Sequence, residues 1–165
     1  GDFDGAEQLL IDATGRVPRS YRAWKELGEL YRHQRENITD ALRCYERAAG
    51  CAPKKGFDKG MIYREWGFIL RESGLPNATD LAIEKLTVAV EEMPSDPFSQ
   101  HGLGALYVRK GVFQPAIKLL EPLAKHSSQE TRLKTYPFLI QAYAGVGDTL
   151  KKLETERRLQ QDRGT

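Results

Sequence analysis

The stretch Trp24-Lys25-Glu26-Leu27-Gly28-Glu29-Leu30-Tyr31 decides the fold. Its large residues fall at spacings of three and four, so Trp24, Leu27 and Tyr31 share one face of an α-helix. Gly28 stands beside them on a well-charged helix, where glycine costs about 1 kcal/mol relative to alanine. A second helix backbone packed against the missing side chain is the expected compensation. The chain supplies such a helix with Ala41, Tyr45 and Ala48, small and large residues at i, i+4 and i+7, and Pro53 closes the segment.

The same pattern recurs on both sides. Downstream come Tyr63, Trp66, Gly67 and Leu70, followed by Ala82, Leu86, Ala89 and Pro94. Next are Leu103, Gly104 and Tyr107, then Gly111, Phe113, Ala116, Leu120 and Leu123, and last Tyr136, Leu139, Tyr143 and Gly147. In that last repeat Ile140 stands where glycine is expected, and Pro137 is read near a helix start. Upstream, Gly1-Asp2-Phe3 with Ala6, Leu10, Ala13 and Pro18 reads as an inter-helix turn, a second helix and a closing proline, its first helix absent. Leu9 and Leu10 are expected to be uncovered there.

These residues resemble the tetratricopeptide repeat, a helix hairpin with a period of about 34 residues and this tryptophan–leucine–glycine–tyrosine pattern. The resemblance covers nearly the whole chain. It implies an all-α, right-handed superhelical solenoid of antiparallel helix hairpins, about nine helices in all. We divide the chain as a single domain: residues 1–20, the second half of a truncated repeat; 21–55, 56–96 and 97–132, full repeats; and 133–165, a degenerate repeat with a capping helix. The N-terminal half-repeat implies a longer array in a larger parent protein.

Local signals refine the reading. Thr39 or Asp40 is expected to cap the helix after the turn Asn37–Asp40. Ser73–Asp80 reads as a long turn. Ser95 or Asp96 caps the next helix, with Pro97 near its first position. Pro115 can start a helix, whereas Pro122 inside one removes a backbone donor. From Asp148 to about Gln161, Leu150, Leu153 and Leu159 form a narrow apolar stripe, while Lys152 and Glu156 stand where an alanine and a large apolar residue belong. A polar outer face suits a terminal helix.

Composition agrees with an ordinary helical protein: 40% hydrophobic, 29% charged and 9% aromatic residues. A net charge of +2 does not by itself imply nucleic acid, and no apolar run approaches the roughly 20 residues of a membrane span. Cys44 and Cys51 lie about 10 Å apart along one helix, too far for a disulfide, and suit a reducing, cytoplasmic compartment.

The resemblance implies that first helices line a concave groove. Residues off their packing face are Arg22, Lys25, Glu29, Arg32 and His33; Met61, Arg64, Phe68, Arg71 and Glu72; Phe98, His101, Ala105, Val108 and Arg109; and Lys134, Gln141 and Ala144. Among these, lysine and arginine outnumber Glu29 and Glu72 by seven to two. Arg22, Lys25, Arg32, Arg64, Arg71 and Arg109 are therefore expected to bind an acidic or carboxylate-bearing segment of a partner protein, with Phe68 and Phe98 meeting its apolar side chains and His101 beside them. The alternative is single-stranded RNA bound through the same surface, with the phenylalanines as stacking platforms. The chaperone-docking subtype, which grips a C-terminal carboxylate, does not fit. Lys25 matches its first lysine, but Glu29, Glu65, Phe98 and Gly102 replace the other anchors.

Other signals are weak. His33, His101 and His126 lack ligand-spaced partners, so no metal site is expected. There is no phosphate loop, nucleophile elbow or CxxC, and neither catalysis nor a cofactor is expected. Asn37-Ile38-Thr39 and Asn77-Ala78-Thr79 match a glycosylation acceptor pattern but lie at helix starts, where capping is the simpler role.

Overall fold

The computed structural model describes residues 3–34 and 37–164; Gly1 and Asp2 of the first predicted turn lie outside them. The described residues form nine helices and no strand: α1 (Phe3–Arg16), α2 (Tyr21–Gln34), α3 (Ile38–Cys51), α4 (Phe57–Glu72), α5 (Ala78–Glu92), α6 (Pro97–Arg109), α7 (Phe113–Leu123), α8 (Gln129–Val146) and α9 (Thr149–Arg163). They group into two compact units, Gly1–Pro94 and Ser95–Thr165.

In the first unit α2 pairs with α3 and α4 with α5. Ala41, Tyr45, Ala48, Ile62 and Ile69 form the core, flanked by Trp24, Tyr31 and Trp66. The glycines are where close packing is decided. A Cβ added at Gly28 would lie 2.8 Å from the Tyr45 ring, and one at Gly67 would lie 2.7 Å from Leu86 and 3.4 Å from the Ala82 carbonyl. The compensation thus comes mainly from the large side chain of the second helix, and only at Gly67 also from its backbone. Leu9 of α1 is 72% exposed, whereas Leu10 is half-buried.

In the second unit α6 pairs with α7 and α8 with α9. Leu120, Leu123, Tyr136, Leu139, Ala142 and Tyr143 lie in its core, and Leu120 fills the place of the missing side chain at Gly104. The last repeat takes its glycine elsewhere: Phe113 of α7 packs onto Gly145, not onto the Ile140 position. Gly147 instead ends α8 in the left-handed conformation (φ 76°), donating to the Ala144 and Tyr143 carbonyls.

Several local expectations are corrected. Asn37, not Thr39 or Asp40, caps α3, its side chain accepting from the Asp40 N–H. Asn77 sits at the cap position of α5 with φ 60° but makes no side-chain cap bond. The turn before α5 ends at Asn77, so it is shorter than read. Asp96 caps α6 with Pro97 in its first turn, as expected. α7 starts at Phe113, two residues before Pro115, and Pro122 falls in its last turn, where the backbone donor it removes lies one residue from the helix end. Because α8 starts at Gln129, Pro137 lies in its interior, not near its start.

The largest correction concerns α9. Leu150 and Leu153 are 82% and 46% exposed, and only Leu159 of the stripe packs against the core. The inward residue is Thr155. Polar contacts hold the helix: Arg132 and Tyr136 both reach the Asp162 carboxylate, at 2.7 and 3.1 Å, and Tyr143 and Lys151 both reach Glu121, at 2.5 and 3.1 Å.

Candidate functional site

The expected groove residues fall on two faces, each within its own unit. The first is made by α2 and α4. At its start the Tyr21 hydroxyl donates to Asp58 at 2.6 Å, and the Arg22 Nε donates to the Tyr21 oxygen at 3.1 Å. That hydrogen bond holds the guanidinium above its ordinary pKa. One turn on, Lys25 lies 3.0 Å from both Glu26 and Glu29. Burial lowers its pKa, but the two carboxylates outweigh that and leave it raised.

The middle of this face is a ladder of ion pairs. Arg32 of α2 reaches across to α4, with Nη1 3.0 Å from Oε2 of Glu65 and Nη2 2.9 Å from Glu72. Glu65 uses its other oxygen, Oε1, for Arg64 at 2.9 Å. Glu72 also holds Arg71 at 3.2 Å, and the Arg71 guanidinium stacks 4.9 Å over the Phe68 ring. The face therefore carries Arg22, Lys25, Arg32, Arg64 and Arg71 against Glu26, Glu29, Asp58, Glu65 and Glu72, a formal balance. The excess counted from the sequence omitted Glu26, Asp58 and Glu65. Helix-face assignment missed them because Glu26 and Glu65 stand one position after the cation each pairs with, and Asp58 is met by Tyr21 from the other helix.

Apolar groups interrupt this ladder. Phe57, at the start of α4, is 68% exposed. It borders a cleft of about 230 Å³ lined also by Tyr21, Arg22, Lys25, Glu26, Asp58 and Met61. Phe57 was not among the expected groove residues; its place in the first turn of α4 is the signal that would have found it. The Tyr45 hydroxyl of α3 is buried and makes no hydrogen bond among the described residues.

The second face belongs to α6 and α8. Phe98 is 64% exposed, and Arg109 is exposed in the last turn of α6. The His101 ring meets Phe138 edge-on at 5.3 Å, and its Nε2 lies 3.1 Å from the Lys134 carbonyl. Those contacts sit in the turn where Pro137 removes a backbone donor. Lys134 pairs with Glu130, and Gln141 and Ala144 are exposed. Ala105 and Val108 are buried, so neither lines a surface. They lie on the side of α6 that packs into the unit.

Among the described residues no group of three or more histidine, cysteine, aspartate and glutamate side chains gathers as a metal site. Both cysteines are free, and burial pushes the Cys44 thiol up to about 11. No helix of the described residues is long and apolar enough to cross a membrane.

Helix hairpins with a glycine on the first helix and a small-and-large face on the second define a helical repeat solenoid, and the fold is that of the tetratricopeptide repeat. Among solved structures, MamA superposes with a TM-score of 0.82 at 18% identity, over 99% of this chain and 90% of that one. YrrB, described as a TPR protein with an unusual peptide-binding site, gives 0.82 at 16% identity over 99% and 79%. The TPR-like repeats of a putative kinesin light chain from Podosopora anserina give 0.73 at 21% identity over 99% and 88%. No family model matches the sequence, and no curated protein matches it.

Proposed function

We propose that this chain is a protein-interaction module and that the α2–α4 face binds an extended segment of a partner protein, or of another domain of a larger parent chain. The observation that carries this reading is Phe57, a large aromatic ring left in solvent at the rim of a cleft beside Arg22 and Lys25. An apolar side chain of the segment enters that cleft against Tyr21, Phe57 and Met61. Its carboxylates pair with the Arg22 guanidinium and, by displacing the resident glutamates, with the Lys25 ammonium and the guanidinium groups of Arg32, Arg64 and Arg71. Phe98, His101 and Arg109 form a second contact face on the other unit. The likeness to YrrB supports a peptide ligand. Internal pairing of the arginines lowers the positive field that a nucleic acid would meet, which favours a peptide over RNA.

Titration of labelled acidic peptides, basic peptides and single-stranded RNA at low and high salt tests the proposal. Acidic peptides are expected to bind most tightly, and more weakly as salt rises. Equal, salt-independent binding of both peptide classes removes the electrostatic part. Tight RNA binding with a steep salt slope replaces the reading with the nucleic-acid one.

A further inference from the structure

We propose that the segment bound on the α2–α4 face carries a carboxylate four residues from its apolar anchor, and that this carboxylate takes the place of Glu72 between Arg32 and Arg71. It rests on the reading of that face as a peptide site and adds the spacing of the ligand and the internal group that gives way.

The two helices lie side by side and parallel. Tyr21 of α2 meets Asp58 of α4 near their starts, and Arg32 meets Glu65 and Glu72 toward their ends. Spacings of three and four put Lys25, Glu29 and Arg32 in one stripe along α2, and Met61, Glu65 and Phe68 in one along α4. A chain lying along the seam therefore passes the Phe57 cleft at one end and the arginines at the other.

The arginine end is already built as a carboxylate site. Nη2 of Arg32 lies 3.1 and 2.9 Å from the two oxygens of Glu72, and Nη2 of Arg71 lies 3.2 Å from Oε1 of the same group. The Arg71 guanidinium lies over the Phe68 ring, which places the fork beside Phe68. Glu72 is the last residue of α4, and its side chain is 44% exposed. It can turn into water, and exposed ion pairs of this kind contribute little. Arg32 keeps Glu65 through Nη1, and Arg71 keeps the Phe68 ring. The exchange replaces one carboxylate by another and strands no buried charge.

The spacing follows from the rise per residue of helix and extended chain. From the cleft residues Phe57 and Met61 to Phe68 is about 10–17 Å of helix. An extended chain covers about 13 Å in four residues, about 7 Å in two and about 20 Å in six, and only even spacings put both side chains on one face. Four residues fit; two fall short and six overshoot.

The test uses the whole chain and fluorescein-labelled serine–glycine peptides holding one leucine and one glutamate two, four or six positions apart, in both orders. The tightest peptide should be four-spaced, by about tenfold over the others of the same order, the worth of one hydrogen bond to a charged group. Glu72→Gln should tighten the four-spaced peptide several-fold. Glu46→Gln, the same loss of charge at an exposed position of α3 outside the ladder, should not. Equal affinity at all spacings, or a maximum at two or six, overturns the proposal. So does a gain from Glu72→Gln no larger than that from Glu46→Gln. Both results leave the peptide-site reading standing. If no peptide binds wild type, both readings fall.

Discussion

Three glycines, Gly28, Gly67 and Gly104, each leave room for one large side chain of the following helix: Tyr45, Leu86 and Leu120. At the scale of single residues, this contact is what shapes the hairpins. Gly67→Leu and Ala82→Leu are each expected to cost about 1–3 kcal/mol by overpacking, read from urea unfolding midpoints. Gly50→Ala is the control, since nothing lies within 4 Å of a Cβ there. It should be neutral or stabilising by up to about 0.5–1 kcal/mol. A destabilised Gly50→Ala beside an unaffected Gly67→Leu contradicts the packing account. These glycines were legible because each stands inside a repeating pattern. Gly60 under Met93 and Gly145 under Phe113 were not, because Met93 lies past the last turn of α5 and Phe113 belongs to the preceding hairpin.

At the scale of elements, α9 departs most from its reading. Helical periodicity finds a stripe at Leu150, Leu153 and Leu159, but the helix docks through Thr155 and Asp162, and the polar partners on α7 and α8 decide the matter. Leu150→Glu is therefore expected to change stability by less than about 0.5 kcal/mol, whereas a buried stripe would lose several times as much in the same melt. The docking contacts also carry a pH signature. The Tyr143 hydrogen bond holds the Glu121 carboxyl below its ordinary pKa, and Arg132 does the same for Asp162. A depressed carboxylate contributes stability that is complete above its unfolded pKa and lost as pH falls through the folded one. The melting temperature should therefore hold from neutral pH down to about the ordinary Glu value of 4.5 and fall on further acidification. The double variant Glu121→Gln, Asp162→Asn should start lower at neutral pH and fall less steeply. An acid limb as steep as wild type would assign the loss to other groups.

At the scale of the whole molecule, the net charge of +2 hides how the charges are used. On the α2–α4 face five cations meet five carboxylates, so its field is short-ranged, and the proposed acidic segment would bind there by exchange of partners. Phe57→Ala, which empties the rim of the cleft without touching an ion pair, is expected to weaken acidic-peptide binding several-fold while leaving its salt dependence unchanged. Arg71→Ala should instead reduce that salt dependence, because it removes a charge. Fluorescence anisotropy at two ionic strengths separates the two effects, and identical salt slopes in both variants would argue against arginine contacts with the ligand.

The helical class, the hairpin pairing and the positions of the packing glycines were determined by local spacing, whereas the large side chain that fills each glycine's place came from the tertiary structure. A period of three to four residues and a small residue at a fixed place act within one or two turns of chain. The partners of Arg32, the idle hydroxyl of Tyr45 and the inward face of α9 were decided only by tertiary structure. Each depends on side chains more than 20 positions apart in sequence, or on polar contacts whose direction no hydrophobic period encodes.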